Sequence, residues 1–222
     1  YAEQESWIEK ATFDPWVYKN RYDDLKDRTD EQLKAHWLAY GIKEGRCASA
    51  ILDLRYYVDN NPDLKAAFGT DYAKAYQHFI TEGYQEQRKS SLLFDGSYYC
   101  NRYPDVASSF KKDYLRHYVQ NGMKEGRRAS ATFDVNYYLF TRPDVAEKWP
   151  GDLERAARHY AGYGIKEGRA GYDSEAPVIS NVTVTDVSAA GYTVTCTVTD
   201  NWGISKVAFP TWTVANDQDD LA

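Results

Sequence analysis

Methionine, paired cysteines and long apolar runs are scarce in this sequence. Its 222 residues include one Met and three Cys. Cys47, Cys100 and Cys196 are odd in number and unevenly spaced, which favours three unpaired thiols over a disulfide framework or a zinc knuckle. No apolar run reaches the roughly 18 residues that a membrane-spanning helix needs, so the sequence predicts no membrane insertion.

Clustered positive charge is also absent. The formal net charge is −6 and no basic stripe appears, whereas binding to nucleic-acid phosphates needs grouped Lys and Arg. Gly-x-Ser-x-Gly, His-Glu-x-x-His, Gly-rich phosphate loops and Cys-His pairs are all missing. The sequence therefore predicts a protein that is not an enzyme, does not bind nucleic acid, and holds no metal or cofactor.

Tyrosine is abundant. The chain has 20 Tyr in a composition that is 43% hydrophobic and 27% charged, which is typical of a folded protein. Tyr has a large apolar body and a polar end, so it suits thin layers whose core lies close to water.

One pattern occurs four times along the chain. Each occurrence starts with Phe-Asp or Leu-Asp, continues to a His followed by an aromatic residue, has a Gly five residues after that His, and ends in a Glu-x-Arg turn. The starts are 39, 42 and 39 residues apart, and such a fixed period is the signature of a repeat architecture. The predicted copies are 13-51, 52-93, 94-132 and 133-172.

Each copy has the signals of short helices. The Asp of the opening pair stands where a helix N-cap is expected, and Pro15 follows Asp14 at the favoured first helical position. Gly41 follows an apolar helical face as a stop signal. We expect two or three short helices per copy and a variable loop before the histidine. Residues 1-12 are expected to form a capping helix, because the end of a helical stack needs a cover, or to be the tail of a preceding repeat.

The pattern changes after residue 172. Stretches 178-187 and 192-198 alternate apolar residues with Thr and Ser, which is typical of strands, and 204-213 predicts a third. A β-sandwich usually takes about 100 residues, so residues 173-222 predict a truncated Ig-like module whose open edges could pair with another chain. The predicted fold class is mainly α, a four-copy helical repeat followed by a partial β-sandwich.

The recurring polar residues favour structural roles. The histidines occupy one position per copy, whereas a catalytic or metal site needs different groups at one point. We therefore expect them to make structural hydrogen bonds. The recurring Glu and Arg of the turn are expected to dock one copy onto the next or to hold the histidine. The histidines are His36, His78, His117 and His159.

Four aromatic residues depart from the repeat pattern and are the predicted ligand-binding residues. Trp16 stands where the other copies have polar residues, and Phe140 replaces Asn or Asp. Tyr40 and Tyr163 replace Glu and Asn. Because the replaced residues are of a solvent-exposed type, all four aromatics are expected to be exposed as anchors for a protein or platforms for a sugar ring.

A family resemblance bears on location. The stretches 176-186, 191-200 and 207-212 resemble the opening half of a GBS Bsp-like repeat, over roughly residues 176 to 221. The four copies resemble uncharacterised repeats that accompany such domains in Gram-positive gut bacteria. The resemblance implies a secreted or cell-surface protein, and some large surface proteins of those organisms bind immunoglobulin as B-cell superantigens.

Three functions remain open from the sequence. The leading hypothesis is a non-catalytic surface module that binds a host protein such as immunoglobulin. The second is a module that binds glycan or cell wall. The third is a structural spacer of a cell-wall hydrolase, which predicts no aromatic patch.

Overall fold

The computed structural model describes residues 6–106, 113–188 and 191–209. The chain divides into two compact units between Tyr172 and Asp173. The first unit is helical, and the second contains a two-stranded antiparallel sheet. The chain is thus mainly α with a small β part, as predicted. We call residues 13–51, 52–93, 94–132 and 133–172 segments 1 to 4.

The described helices are short. In chain order the α-helices are α1 Trp7–Ala11, α2 Pro15–Arg21, α3 Asp30–His36, α4 Leu54–Asp59, α5 Pro62–Phe68, α6 Tyr72–Thr81, α7 Gly96–Arg102, α8 Tyr114–His117, α9 Val135–Thr141, α10 Pro143–Lys148 and α11 Leu153–His159. In the part of the chain that the structure describes, two 3₁₀ turns lie at Asp23–Leu25 and Gly83–Gln85. In the same part, three π-helical turns directly follow a histidine, at Trp37–Gly41, Tyr118–Gly122 and Tyr160–Gly164.

The opening Asp of each segment caps the first helix, as the sequence predicts. Its carboxylate accepts hydrogen bonds from the next backbone N–H groups, for example from Trp16 and Val17 to Asp14. Its own backbone N–H donates to a carbonyl near the end of the same segment. The capping residues are Asp14, Asp53, Asp95 and Asp134. The same residue therefore starts a helix and closes the segment.

The extra residues of the longer segments lie in a helix. Segments 2 and 4 have three more residues before their histidine than segment 1. In segment 1 this part is the 3₁₀ turn Asp23–Leu25, whereas in the longer segments it is α5 or α10. The prediction of a variable loop was wrong here, because the extra residues lengthen the helix that begins at Pro62 or Pro143.

The connections between segments lie in the core. Residues 48–52 are all buried, although they are neither helix nor strand. The Ser90 and Ser91 hydroxyls donate to the carbonyls of Ile51 and Ala50 at 2.6 and 2.7 Å, and Ser130 donates to Leu92 at 2.6 Å. Serine hydroxyls of one connection thereby donate hydrogen bonds to buried backbone carbonyls of the preceding connection.

Helix α1 forms where a capping helix is predicted within residues 1-12. Ser6 and Glu9 form a capping box at its start. Trp7 makes an edge contact with Tyr84 at 5.5 Å, and Arg116 lies 5.5 Å from the indole ring centre. The helix therefore contacts segments 2 and 3.

The second unit contains the two predicted strands, β1 Val178–Ser188 and β2 Gly191–Thr199. They pair antiparallel from Val178 opposite Thr199, and the register shifts twice. Every side chain of β1 is exposed. The predicted third strand does not form in its described part, 204–209, and residues 210–213 of that prediction lie outside the described residues.

Among the described residues, no helix combines the length and apolarity that crossing a bilayer requires.

Candidate functional site

A hydrogen bond between a tyrosine hydroxyl and the Nδ1 atom of a histidine occurs in every segment. The pairs are Tyr18–His36, Tyr57–His78, Tyr99–His117 and Tyr138–His159, at 2.9, 2.9, 2.8 and 2.9 Å. Each tyrosine comes from the first helix of its segment, and its histidine comes from the last α-helix. The bond joins the two ends of the helical part, which matches the structural role predicted for the histidines.

A glycine lies directly beside each of these hydroxyls. A Cβ atom at Gly41, Gly83 or Gly122 would lie 2.2, 2.0 or 2.4 Å from the tyrosine oxygen, and one at Gly164 would lie 2.9 Å away. No side chain fits at such distances without displacing the hydroxyl. The glycine that follows each histidine by five residues therefore makes room for the Tyr–His bond, in addition to ending a helix.

Burial sets the protonation of these pairs. Desolvation lowers the pKa of His36, His117 and His159. It raises the pKa of Tyr18 and Tyr138 to about 12. Both effects disfavour the charged forms, so each of these pairs is held as neutral imidazole and neutral phenol near pH 7.

The arginine of each Glu-x-Arg turn joins two carboxylates of its own segment. Arg127 donates from Nε to Glu125 at 2.6 Å and from Nη1 to Asp105 at 2.8 Å. Arg46, Arg88 and Arg169 do the same with the corresponding residues. The first alternative, that this charge pair docks one copy onto the next, was wrong, because the arginine binds an Asp near the start of the second helical element of the same segment. The second alternative, that the pair holds the histidine, is seen in segment 2, where Glu86 lies 3.6 Å from Nε2 of His78.

Segments 1 and 4 contact each other, although they are farthest apart in sequence. Trp16 on α2 lies in a slot of segment 4, with ring centres 6.2 Å from Trp149 and 5.7 Å from Tyr163. The Arg155 guanidinium lies over the Trp16 ring at 5.4 Å. Gly162 lies under the same helix, because a Cβ there would be 3.3 Å from the Trp16 ring and 3.5 Å from the backbone of Val17. We call this the Trp16 slot.

Polar contacts surround the Trp16 slot. The Tyr163 hydroxyl donates to Asn20 at 2.6 Å, and Lys166 pairs with Asp23 at 2.6 Å. Lys26 also pairs with Asp23, at 2.7 Å, and the contacts with Lys166 and Lys26 lower the pKa of Asp23 to about 2. The interface between segments 1 and 4 thus has an aromatic centre and a polar edge.

The four predicted binding residues fall into two groups. Trp16 and Tyr163 are half-buried in contact with each other, so the prediction that they are exposed was wrong. Tyr40 and Phe140 are 60% and 63% exposed. All four residues depart from the pattern of the other segments, but that departure does not show that Trp16 and Tyr163 contact each other.

An open hollow lies beside Tyr40. It has a volume of about 510 Å³ and is lined by Arg28, Gln32, Ala35, His36, Ala39, Tyr40 and Glu44. Its residues correspond in sequence to those of the Trp16 slot: counted from the histidine, Gln32 matches Arg155, Ala39 matches Gly162 and Tyr40 matches Tyr163. We call this the segment-1 hollow. It is the counterpart of the Trp16 slot without an indole inside it.

The shorter segment 1 explains why the hollow is open. In segments 2 and 4 the extra residues place an aromatic ring on the histidine, Phe68 on His78 at 5.5 Å and Trp149 on His159 at 5.3 Å. In segment 1 the aligned position lies in the polar stretch around Arg28. Leu38, which precedes Ala39 in sequence, is 55% exposed. The hollow was not predicted from the sequence. Two features of segment 1 could have indicated it: the absence of the three residues that segments 2 and 4 have before their histidine, and the aromatic residue Tyr40.

One group among the described residues has the donor atoms of a metal site, His78, Glu82 and Glu86. Glu86 lies 3.6 Å from Nε2 of His78, but its carboxylate also binds Arg88 at 2.6 Å. His78 Nδ1 is bonded to Tyr57. The Glu86 carboxylate is therefore already paired with Arg88, and both glutamates are exposed.

All three cysteines are free, as predicted. Cys47 is buried, its thiol donates to the carbonyl of Ser49 at 3.3 Å, and burial raises its pKa to about 12. A thiol with that pKa is not a nucleophile at neutral pH.

Comparisons with protein families, curated proteins and solved structures give no match to this chain. The resemblance of residues 176 to 221 to a GBS Bsp-like repeat stays a prediction.

Proposed function

We propose that the chain is a non-catalytic protein-interaction module built from four copies of one helical repeat, followed by part of an Ig-like β module. The repeat proposal is supported by the Tyr–His bond, the glycine beside it and the Arg–carboxylate link, which recur at corresponding positions. A non-catalytic role is supported by the histidines, since each gives one ring nitrogen to a structural bond.

The segment-1 hollow carries the proposal. Tyr40 is a large, exposed side chain that lines a concave surface, and exposed aromatic residues are typical binding anchors. In segment 4 the corresponding residues hold an indole from a helix. A protein that presents a side chain from a helix is therefore the partner class this surface favours.

A spacer function is less well supported. A spacer needs no concave aromatic surface, whereas Tyr40 is 60% exposed at the edge of the hollow. The sequence resemblance makes a host protein such as immunoglobulin the first partner to test, and it makes a secreted or cell-surface location part of the proposal.

Glycan binding is the second candidate. The Tyr40 ring has Arg28, Gln32 and Glu44 around the same hollow, and these side chains can bond sugar hydroxyls while the ring supports a sugar face. The two candidates share the site and differ in the ligand.

The test is capture from serum, together with a glycan array, using the chain and a Tyr40→Ala variant. We expect serum protein to be captured and Tyr40→Ala to weaken capture about tenfold or more, the usual effect of losing an aromatic anchor. Tyr192→Ala is the matched control, because Tyr192 is 54% exposed in the second unit. Equal capture by Tyr40→Ala and the parent chain would reject this site, and signal on the array alone would select the glycan candidate.

A further inference from the structure

We infer that the segment-1 hollow accepts helix α9 of a second copy of this chain, in a head-to-tail contact that repeats the pairing between segments 1 and 4. This inference rests on the proposed function, since it names a partner for the same hollow. Its basis is that both halves of the internal interface have counterparts on the outside of the molecule.

The first half of that interface is a helix face. Trp16 and Asn20 are four residues apart on α2 and both contact segment 4. The corresponding residues of segment 4 are Asn136 and Phe140 on α9, at the same spacing from Phe133 as the first pair has from Phe13. Both are exposed, and Phe140 is 63% exposed. Helix α9 thus presents outward the face that α2 uses inside the molecule.

The second half is the turn that follows the histidine. In segment 4 it is formed by Ala161, Gly162 and Tyr163, which lie under α2, and the Arg21 guanidinium donates to the Ala161 carbonyl at 3.1 Å. In segment 1 it is formed by Leu38, Ala39 and Tyr40, all exposed. The same backbone turn is therefore covered in one segment and open in the other.

Aligning the two halves fixes which side chains would meet. Tyr163 bonds Asn20 inside the molecule, so its counterpart Tyr40 meets the counterpart of Asn20, which is Phe140. A hydrogen bond is thus replaced by an aromatic pair. Asn136 takes the place of Trp16 and enters the hollow, whose Arg28, Gln32 and Glu44 side chains suit an amide.

The contact between two copies would be weaker than the interface between segments 1 and 4. Lys166–Asp23 and Arg158–Asp14 bridge segments 1 and 4. Their counterparts would be Lys43 with Pro143 and Ala35 with Asp134, neither of which is an ion pair. The two faces of one chain are different surfaces, so the contact is heterologous and each copy can bind one neighbour at each face.

The experiment is sedimentation velocity of the full chain from about 1 µM to about 1 mM, a range that covers weak association. Two variants use residues that other segments already have at these positions: Tyr40→Asn, as at Asn121, and Phe140→Asn, as at Asn20 and Asn101. We expect the parent chain to associate with rising concentration and each variant to raise the dissociation constant about tenfold or more. Tyr192→Ala should associate as the parent chain does.

Mixing the two variants tests the head-to-tail geometry. Tyr40→Asn keeps an intact α9 face and Phe140→Asn keeps an intact hollow, so the mixture should form a one-to-one dimer with the parent affinity and no larger species. A parent chain that stays monomeric throughout overturns the inference. It is also overturned if both variants associate as the parent does, which would point to the β1–β2 edges, or if the mixture stays monomeric while the parent associates.

The same variants separate this inference from the proposed function. Serum capture that depends on Tyr40 but not on Phe140, by a chain that stays monomeric, supports the proposed function and overturns the second-copy partner. Self-association lost in both variants, with no captured serum protein or glycan, supports the second-copy partner and rejects the external ligand.

Discussion

The hydroxyl of Tyr138 and Nδ1 of His159 are 2.9 Å apart in the buried part of segment 4, with Gly164 directly beside them. Three further pairs in the described structure have the same arrangement. This arrangement explains why tyrosine, histidine and glycine recur together in this sequence. In each segment a Tyr–His hydrogen bond joins the first and last α-helix, and the position beside the hydroxyl must be glycine because a side chain there would displace it.

Replacing Tyr138 by Phe should destabilise the first unit. The change removes the hydroxyl and leaves a buried imidazole nitrogen without that bond, at a cost of about 1–3 kcal/mol. Tyr18→Phe is the matched control, because His36 is partly exposed and water can replace the hydroxyl there, for about 0.5 kcal/mol. Urea denaturation measures both. Equal losses in the two variants would contradict the role of burial.

Gly122→Ala should displace the Tyr99 hydroxyl. The new Cβ would lie 2.4 Å from that oxygen, and overpacking of this kind costs about 1–3 kcal/mol. In the double variant Tyr99→Phe, Gly122→Ala the oxygen is absent, so the combined loss should be smaller than the sum of the single losses. Additive losses would show that the glycine is required for another reason.

Stability should fall as the pH is lowered from 8 to 5. The folded-state pKa of His36, His117 and His159 lies below its ordinary value because of desolvation. The unfolded chain therefore binds more protons in this range, and stability is full above pH ~6.5 and decreases as the pH falls through that value.

A second loss should follow in acid. Arg46, Arg127 and Arg169 lower the pKa of Asp24, Asp105 and Asp144, so those carboxylates contribute stability above pH ~3.9 that is lost as they are protonated at lower pH. Thermal melts across the pH series measure both steps. A melting temperature that is constant from pH 8 to 5 would contradict the histidine effect.

Trp16→Ala should lower the free energy of unfolding more than Phe140→Ala does. Removing a half-buried indole from between Trp149 and Tyr163 leaves a cavity between segments 1 and 4, at a cost of about 3 kcal/mol. Phe140→Ala is the control: its ring is 63% exposed, and exposed substitutions stay within about 0.5 kcal/mol. Guanidinium denaturation followed by far-UV circular dichroism compares the two. A Trp16→Ala variant as stable as the parent chain would contradict the interface.

Several local features could be predicted from the sequence because they depend on neighbouring residues. The capping role of Asp14, Asp53, Asp95 and Asp134 follows from an Asp before a helical pattern, and the strands Val178–Ser188 and Gly191–Thr199 follow from alternation. The predicted third strand at 204–213 did not form in its described part, since alternation alone does not provide a strand to pair with.

The candidate site was only partly predictable. The comparison of segments selected Trp16, Tyr40, Phe140 and Tyr163 because each replaces a polar residue, but an apolar substitution looks the same in sequence whether it anchors a ligand or packs on a distant segment. Trp16 and Tyr163 pack together, whereas Tyr40 and Phe140 are exposed. Gly162, where the other segments have Ala39, Thr81 and Gln120, was a further signal, since a helix that approaches closely needs a position without a side chain.

The sequence alone determined where the helices start, which residues recur and where the helical part ends, because caps, spacing and alternation act over a few residues. The tertiary structure decided that segment 4 returns to segment 1, that Trp16 is half-buried there, and that the corresponding hollow beside Tyr40 is open. Those outcomes depend on how successive segments are rotated relative to one another, and that rotation results from the packing of the whole unit.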